Sequence, residues 1–262
     1  MSNVRNYVVD TGIDKTNADL NVVNHVNCRT SARQCEASGK NYDCDGHGTH
    51  VAGTLAAEDN TRAVVGVAPG APLIGVKVLD CDAAGSVSSI IKGIDWVTAN
   101  AKKPAVANVS ISGPASSSID QAVRNSANSG ILYSVAAGNN GWSACKNSPA
   151  RAGAGTNNGI MTVAATNDKN GETASSNYGP CVDLWAPGAS IRSTKLDGGT
   201  TTKSGTSMAS PHVGGGGALY LSSHTSAAPS SVEGALKANA WKPGTKSKDK
   251  ITPILLENVG AL

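Results

Sequence analysis

Short apolar runs alternate with stretches of helical periodicity along this chain, and that alternation narrows the folds open to it. The runs Tyr7–Val9, Leu73–Val78, Val106–Ile111, Ile131–Ala136, Ile160–Ala164 and Val182–Leu184 read as strands. Five segments read as helices: His47–Ala57, Val87–Asn100, Ser118–Asn128, Ser207–Ser222 and Ser231–Ala238. In the second, Ile90, Ile91, Ile94 and Val97 recur at helical spacing and make one apolar face. The alternation predicts an α/β protein of three layers, a mostly parallel central sheet with helices on both faces. Such sheets form their sites at the carboxyl ends of the strands. There is no internal repeat and no clear linker, so residues 1–262 read as one domain. The turn-rich stretches Gly153–Gly159 and Asp197–Gly199 read as its surface loops. The helix Ser207–Ser222 carries Gly214 to Gly217 in its interior. Each glycine costs about 1 kcal/mol against alanine, and close packing on the sheet is the expected reason for them.

Composition excludes several function classes. Charged residues make up 16% of the chain and glycine accounts for 30 positions, which suits a compact, turn-rich protein and not a disordered one. The net charge of +3, with Lys and Arg scattered, gives no footprint for nucleic acid. The densest basic stretch, Lys242 to Lys250, reads as a solvated surface segment. No apolar run approaches the roughly 20 residues of a membrane span. The opening Met1-Ser2-Asn3-Val4-Arg5 does not read as a signal peptide. Six cysteines, none in a C-x-x-C pair, predict disulfides and an oxidising compartment. The sequence alone leaves all fifteen pairings open. Closing a loop as long as Cys44 to Cys81 would contribute about 4 kcal/mol in the chain-entropy account.

Amide hydrolysis needs a nucleophile, a base to activate it and donors for the oxyanion. Ser207 stands where a helix begins, so its N–H lacks a helical acceptor and the helix dipole favours negative charge there. Alone, that position describes a helix cap equally well. His47 lies between Gly46 and Gly48 at another helix start, where the ring is exposed. His50 and His212 fall one turn into their helices and read as structural. His47 and His50 lack the Glu and the spacing of an H-E-x-x-H zinc site. Asp10 ends a strand in Val9-Asp10-Thr11-Gly12, where a buried carboxylate would orient an imidazole. An aspartic protease would need a second D-T-G, which the chain lacks. Asn139, after a further strand, offers a side-chain amide as the second oxyanion donor.

Taken together, D-T-G at Asp10–Gly12, D-G-H-G-T-H-V-A-G at Asp45–Gly53, A-A-G-N at Ala136–Asn139 and G-T-S-M-A-S-P-H-V at Gly205–Val213 closely resemble the subtilisin-like serine proteases. The order Asp, His, Ser is that family's, whereas an α/β-hydrolase runs Ser, Asp, His with G-x-S-x-G, which Ala209 breaks. Val106–Ser110, Ser148–Arg151 and Asn177–Gly179 resemble the proteinase K branch and its aqualysin-like members. The resemblance implies a secreted, monomeric serine endopeptidase made with a pro-segment. It implies Asp10, His47 and Ser207 as the triad, and Asn139 with the Ser207 N–H as the oxyanion hole. Protein substrates would bind as an extended strand between Ser110-Ile111-Ser112-Gly113 and Gly85-Ser86-Val87, a form of strand addition. The primary pocket would lie between Ser110–Ser112 and Ala136-Ala137-Gly138. No acidic residue stands in that wall, so small or apolar side chains are expected there. The resemblance further implies bridges Cys44–Cys81 and Cys145–Cys181, which leaves Cys28–Cys35. It also implies structural Ca²⁺ held by the Asp183 carboxylate and the carbonyls of Asn158 and Ile160. The chain departs from the family in having only nine residues before Asp10, Ser112 where Gly is usual, no Phe in Ala174–Asn177, and Gly214–Gly217 in place of mostly Ala and Val. A silent, peptide-binding relative is the other reading; the complete set of Asp10, His47, Ser207 and Asn139 favours the enzyme.

Overall fold

A computed structural model describes residues 3–31, 34–37, 43–62, 64–260 and 262. Its centre is an eight-stranded sheet built from β1 (Arg5–Asp10), β2 (Val22–Asn27), β3 (Glu36–Ala37), β4 (Leu73–Lys77), β5 (Ala105–Val109), β7 (Leu132–Ala136), β9 (Ile160–Thr166) and β10 (Leu184–Pro187). The order across it is β10-β9-β7-β5-β1-β4-β2-β3. Every pairing is parallel except β2 with the edge strand β3. The short β6 (Gly113–Pro114) and β8 (Asn147–Ser148) pair antiparallel, as do β11 (Ile191–Thr194) and β12 (Thr200–Lys203).

Strand residues alternate between two cores, as the two-residue period of a strand requires. Val8, Leu73, Val106 and Leu132 pack on one face with α1 (His47–Ala56), α4 (Thr206–Ser223) and α5 (Pro229–Asn239). Tyr7, Val9, Val76 and Val109 face the other way, onto α2 (Val87–Asn100) and α3 (Ser117–Asn128). The α/β architecture with helices on both faces is therefore as expected. The run Val182–Leu184 is a correction: its strand starts only at Leu184. Val106–Ile111 is also shorter than expected, since β5 stops at Val109 and leaves the edge from Ser110 onward unpaired with β7.

Only Gly217 of the α4 glycines has the expected reason, packing on the sheet, since its near neighbour Leu132 lies in β7 while those of Gly215 and Gly216 lie outside it. A Cβ on Gly215, Gly216 or Gly217 would stand 2.6, 2.4 or 2.3 Å from Val67, Glu257 or Leu132. Gly214 meets nothing closer than 3.5 Å, so packing does not demand a glycine there. The six cysteines form Cys28–Cys35, Cys44–Cys81 and Cys145–Cys181.

Candidate active site

Parallel strands share one carboxyl edge, and the candidate residues gather along it. Asp10 is the last residue of β1, Ser110 follows β5, and Asn139 follows β7. His47 opens α1 and Ser207 is the second residue of α4. A cleft of about 330 Å³ is lined by His47, Leu79, Ala83, Ser110, Ile111, Ser112, Asn139, Asn140 and Ser207.

Asp10 is fully buried, and its Oδ1 accepts from His47 Nδ1 at 2.7 Å and from the Thr11 N–H at 2.7 Å. The acceptor on Nδ1 makes that nitrogen the protonated one and leaves Nε2 as the basic nitrogen. Burial works against a charged ring, but the charge of Asp10 and its hydrogen bond outweigh it and raise the His47 pKa above the usual value. The helix carrying His47 can reach the strand end only because residue 48 is glycine. A Cβ there would lie 2.0 Å from the Gly12 carbonyl oxygen.

Asp43 is the residue the sequence reading missed. Its Oδ1 accepts from Thr11 Oγ1 and the Gly46 N–H, both at 2.9 Å, and its Oδ2 accepts from the Thr49 N–H at 2.9 Å. One buried carboxylate thus ties the residue after Asp10 to the first turn of α1. Its position two residues before Asp45-Gly46-His47 was the available signal. Asn177 plays the matching part behind Asn139, accepting from the Asn140 N–H at 2.9 Å and donating to the Ala137 carbonyl at 2.8 Å.

Ser207 is held through its backbone. Pro211 lies four residues on and has no N–H, so the Ser207 carbonyl has no helical donor. The Ser110 hydroxyl donates to it instead, at 2.8 Å, and Asn108 Nδ2 donates to Ser110 Oγ at 2.9 Å. Ser207 Oγ donates to the Ser110 carbonyl at 3.1 Å. No hydrogen bond joins Ser207 Oγ to His47 among the described residues, although both line the same cleft, and catalytic hydrogen bonds commonly tighten only with substrate bound. As the second residue of α4, Ser207 has an N–H with no helical acceptor. Asn139 Oδ1 accepts from the Thr206 N–H at 2.9 Å and Thr206 Oγ1 at 3.1 Å, which leaves its Nδ2 as the donor for the cleft.

The two expected substrate edges fare differently. Ser110, Ile111 and Ser112 line the cleft, while Gly113 is already paired with Ser148. On the other side the lining residues are Leu79 and Ala83. Gly85 and Ser86 line the neighbouring depression with Arg29 and Asp80, and Ser86 caps α2, whose first residue is Val87. Ala136, Ala137 and Gly138 are buried behind Asn139.

The calcium expectation meets a different arrangement. Asp183 Oδ2 accepts from the Thr162 N–H at 2.9 Å, and Oδ1 accepts from Lys237 Nζ at 3.0 Å. Lys237 also reaches Glu233 Oε1 at 3.0 Å, while Glu233 Oε2 accepts from the Gly159 N–H at 2.7 Å. Asn158 turns its own side chain to Gly153 and Ile160. Ca²⁺ takes six to eight oxygens, and here an ammonium stands where the carboxylates converge. Burial opposes its charge, but Asp183 and Glu233 outweigh that and raise the Lys237 pKa. With Oδ1 on Lys237 and Oδ2 on the Thr162 N–H, the Asp183 carboxylate as placed does not fit a calcium ion.

Residues 7–260 match peptidase S8, described as the Subtilase family. The chain belongs to that family. Among similar proteins, this subtilase is 44% identical to an extracellular serine proteinase of a Thermus species, over 97% of this chain and 59% of the relative. It is 42% identical to alkaline serine exoprotease A of Vibrio alginolyticus, over 89% of this chain and 41% of the relative. The subtilase thus spans 41% and 59% of the length of these two relatives. It also matches the crystal structure of a cold adapted subtilisin-like serine proteinase, with TM-score 0.84, 37% identity and coverage of 97% of this chain and 87% of that one.

Proposed function

We propose that this subtilase is a secreted serine endopeptidase working through Asp10, His47 and Ser207. The observation that carries the reading is the 2.7 Å bond from His47 to buried Asp10, in a cleft that Ser207 and Asn139 also line. His47 Nε2 takes the proton of Ser207 Oγ as that oxygen adds to the scissile carbonyl. Asp10 stabilises the imidazolium that results. The oxyanion would be held between Asn139 Nδ2 and the Ser207 N–H, a reading supported by both residues lining the cleft. His47 then returns the proton to the leaving amine, and the C–N bond breaks to give an acyl-Ser207 ester. Water, deprotonated by His47, hydrolyses that ester and regenerates the site.

The substrate backbone runs along Ser110–Ser112 as an added strand. Its P1 side chain enters the slot between those residues and Ala136–Gly138. With no acidic residue in that wall, neutral side chains, small or apolar, are favoured over Lys and Arg. Extracellular relatives, three disulfides, and no helix among the described residues long and apolar enough to cross a membrane support secretion. No chemical step runs through calcium. The test is release of peptides from casein by the folded protein and by Ser207→Ala. Digestion by the wild type alone is expected; equal digestion by both would remove Ser207 from the mechanism.

A further inference from the structure

One side chain crosses the slot that the P1 residue must enter. Ser112 stands on the Ser110–Ser112 wall, with Gly138 opposite. A Cβ placed on Gly138 would lie only 2.6 Å from Ser112 Oγ, so the hydroxyl already occupies the gap between the walls. It is pinned there, because Asn147 Nδ2 donates to it at 2.9 Å. Asn147 is itself buried and has little freedom. Its Oδ1 accepts from Trp142 Nε1 at 2.7 Å and from Asn177 Nδ2 at 3.3 Å. Asn177 Nδ2 also donates to the Ala137 carbonyl at 2.8 Å. Ser112, Asn147 and Asn177 therefore form a polar bar tied to both walls.

We propose that Ser112 is the specificity-determining residue of the primary pocket, closing it to all but small P1 side chains such as those of Gly, Ala and Ser. The inference rests on the protease reading of the cleft and narrows its substrate class. A small side chain fits with the bar intact. An aromatic one must push Ser112 Oγ aside, which breaks its bond to Asn147 and leaves a buried amide donor short of a partner. Loss of a buried partner costs far more than the change in contact area alone.

The test compares kcat/KM for succinyl-Ala-Ala-Pro-Ala and succinyl-Ala-Ala-Pro-Phe p-nitroanilides. The wild type should prefer Ala over Phe. Ser112→Gly should raise the Phe-to-Ala ratio by roughly tenfold or more. Ser112→Ala, which keeps Cβ and removes only the hydroxyl, should fall between them. Wild-type preference for Phe, or a ratio that Ser112→Gly leaves unchanged, overturns the proposal while the protease reading stands, since substrate is still cleaved. A folded protein that cleaves neither anilide and does not label at Ser207 with a fluorophosphonate overturns both.

Discussion

The hydroxyl of Ser110 donates to the carbonyl of Ser207 at 2.8 Å, in the place that a helical N–H at Pro211 would have filled. The proline opens a vacancy in α4 beside the candidate nucleophile, and the residue after β5 closes it. The proposed substrate edge and the proposed nucleophile are thereby fixed to each other. Ser110→Ala leaves the Ser207 carbonyl and Asn108 Nδ2 each without a partner, at a cost of about 1–3 kcal/mol per buried group. Thermal melting should show that loss. Peptidase activity should fall further than a comparable destabilisation elsewhere, such as Ile94→Val, would cause. Equal activity losses in the two variants would deny the coupling.

In the proposed mechanism, charge at His47 sets the acid limit of activity. A ring must be neutral to accept the serine proton, and Asp10 raises the His47 pKa. The acid limb of kcat/KM should therefore centre above the ordinary histidine value of about 6.5. In Asp10→Asn the burial remains while the attraction is gone, so the limb should move below that value as the rate drops. The stability linkage has the same origin. Because the folded pKa is the higher one, this contribution is full below about pH 6.5 and disappears as pH rises through the folded value. A pH–rate titration of both proteins checks the order of the two limbs.

Reduction should damage activity as well as stability. Cys44 lies three residues before His47 and is bridged to Cys81, a sequence separation of 37. The chain-entropy account gives that bridge roughly 4 kcal/mol. Paired Cys44→Ser and Cys81→Ser substitutions should lower Tm by several degrees and slow turnover at temperatures where the protein is still folded. Removing Cys28–Cys35, which closes a much shorter loop, should have the smaller effect on Tm. Differential scanning calorimetry with parallel assays separates the two.

Lys237 gives the Asp183 carboxylate its cation, so any effect of a chelator on Tm should be the same in the wild type and in Asp183→Asn. Lys237→Met removes one partner of a largely buried cluster and should cost about 3 kcal/mol or more. With the ammonium gone, Asp183, Glu233 and nearby carbonyls become free to take a metal, and added Ca²⁺ should recover part of the lost Tm. A chelator-induced drop that Asp183→Asn abolishes would return calcium to Asp183.

What the sequence made legible followed from periodicity and from four short motifs. The helix Val87–Asn100 declared itself by spacing, and the strands of the sheet centre by short, mostly apolar runs. β2 did not, because Val22–Asn27 carries two Asn and a His. His25 is nonetheless buried and neutral, its pKa pushed down to about 4 by burial, with Nε2 accepting from the Ile13 N–H at 3.1 Å. β11 and β12 form a hairpin that, apart from Ile191, is Ser, Thr, Lys and Arg, around Asp197–Gly199, where only the turn was visible. At the site, residue types announced the nucleophile, base and acid, but their supports depend on contacts distant in sequence. Ser110 and Ser207 are 97 residues apart, and Lys237 and Asp183 are 54 apart. The Glu233–Lys237 spacing of four was readable; the third member that gives it meaning was not.

In the proposed mechanism the fold makes Ser207 a nucleophile and not a helix cap. A fluorophosphonate, followed by peptide mass mapping, tests it most directly. One adduct per folded chain is expected, on Ser207, abolished in Ser207→Ala and strongly slowed in His47→Ala. Labelling that is absent from the folded wild type, or that persists equally in Ser207→Ala, would contradict it.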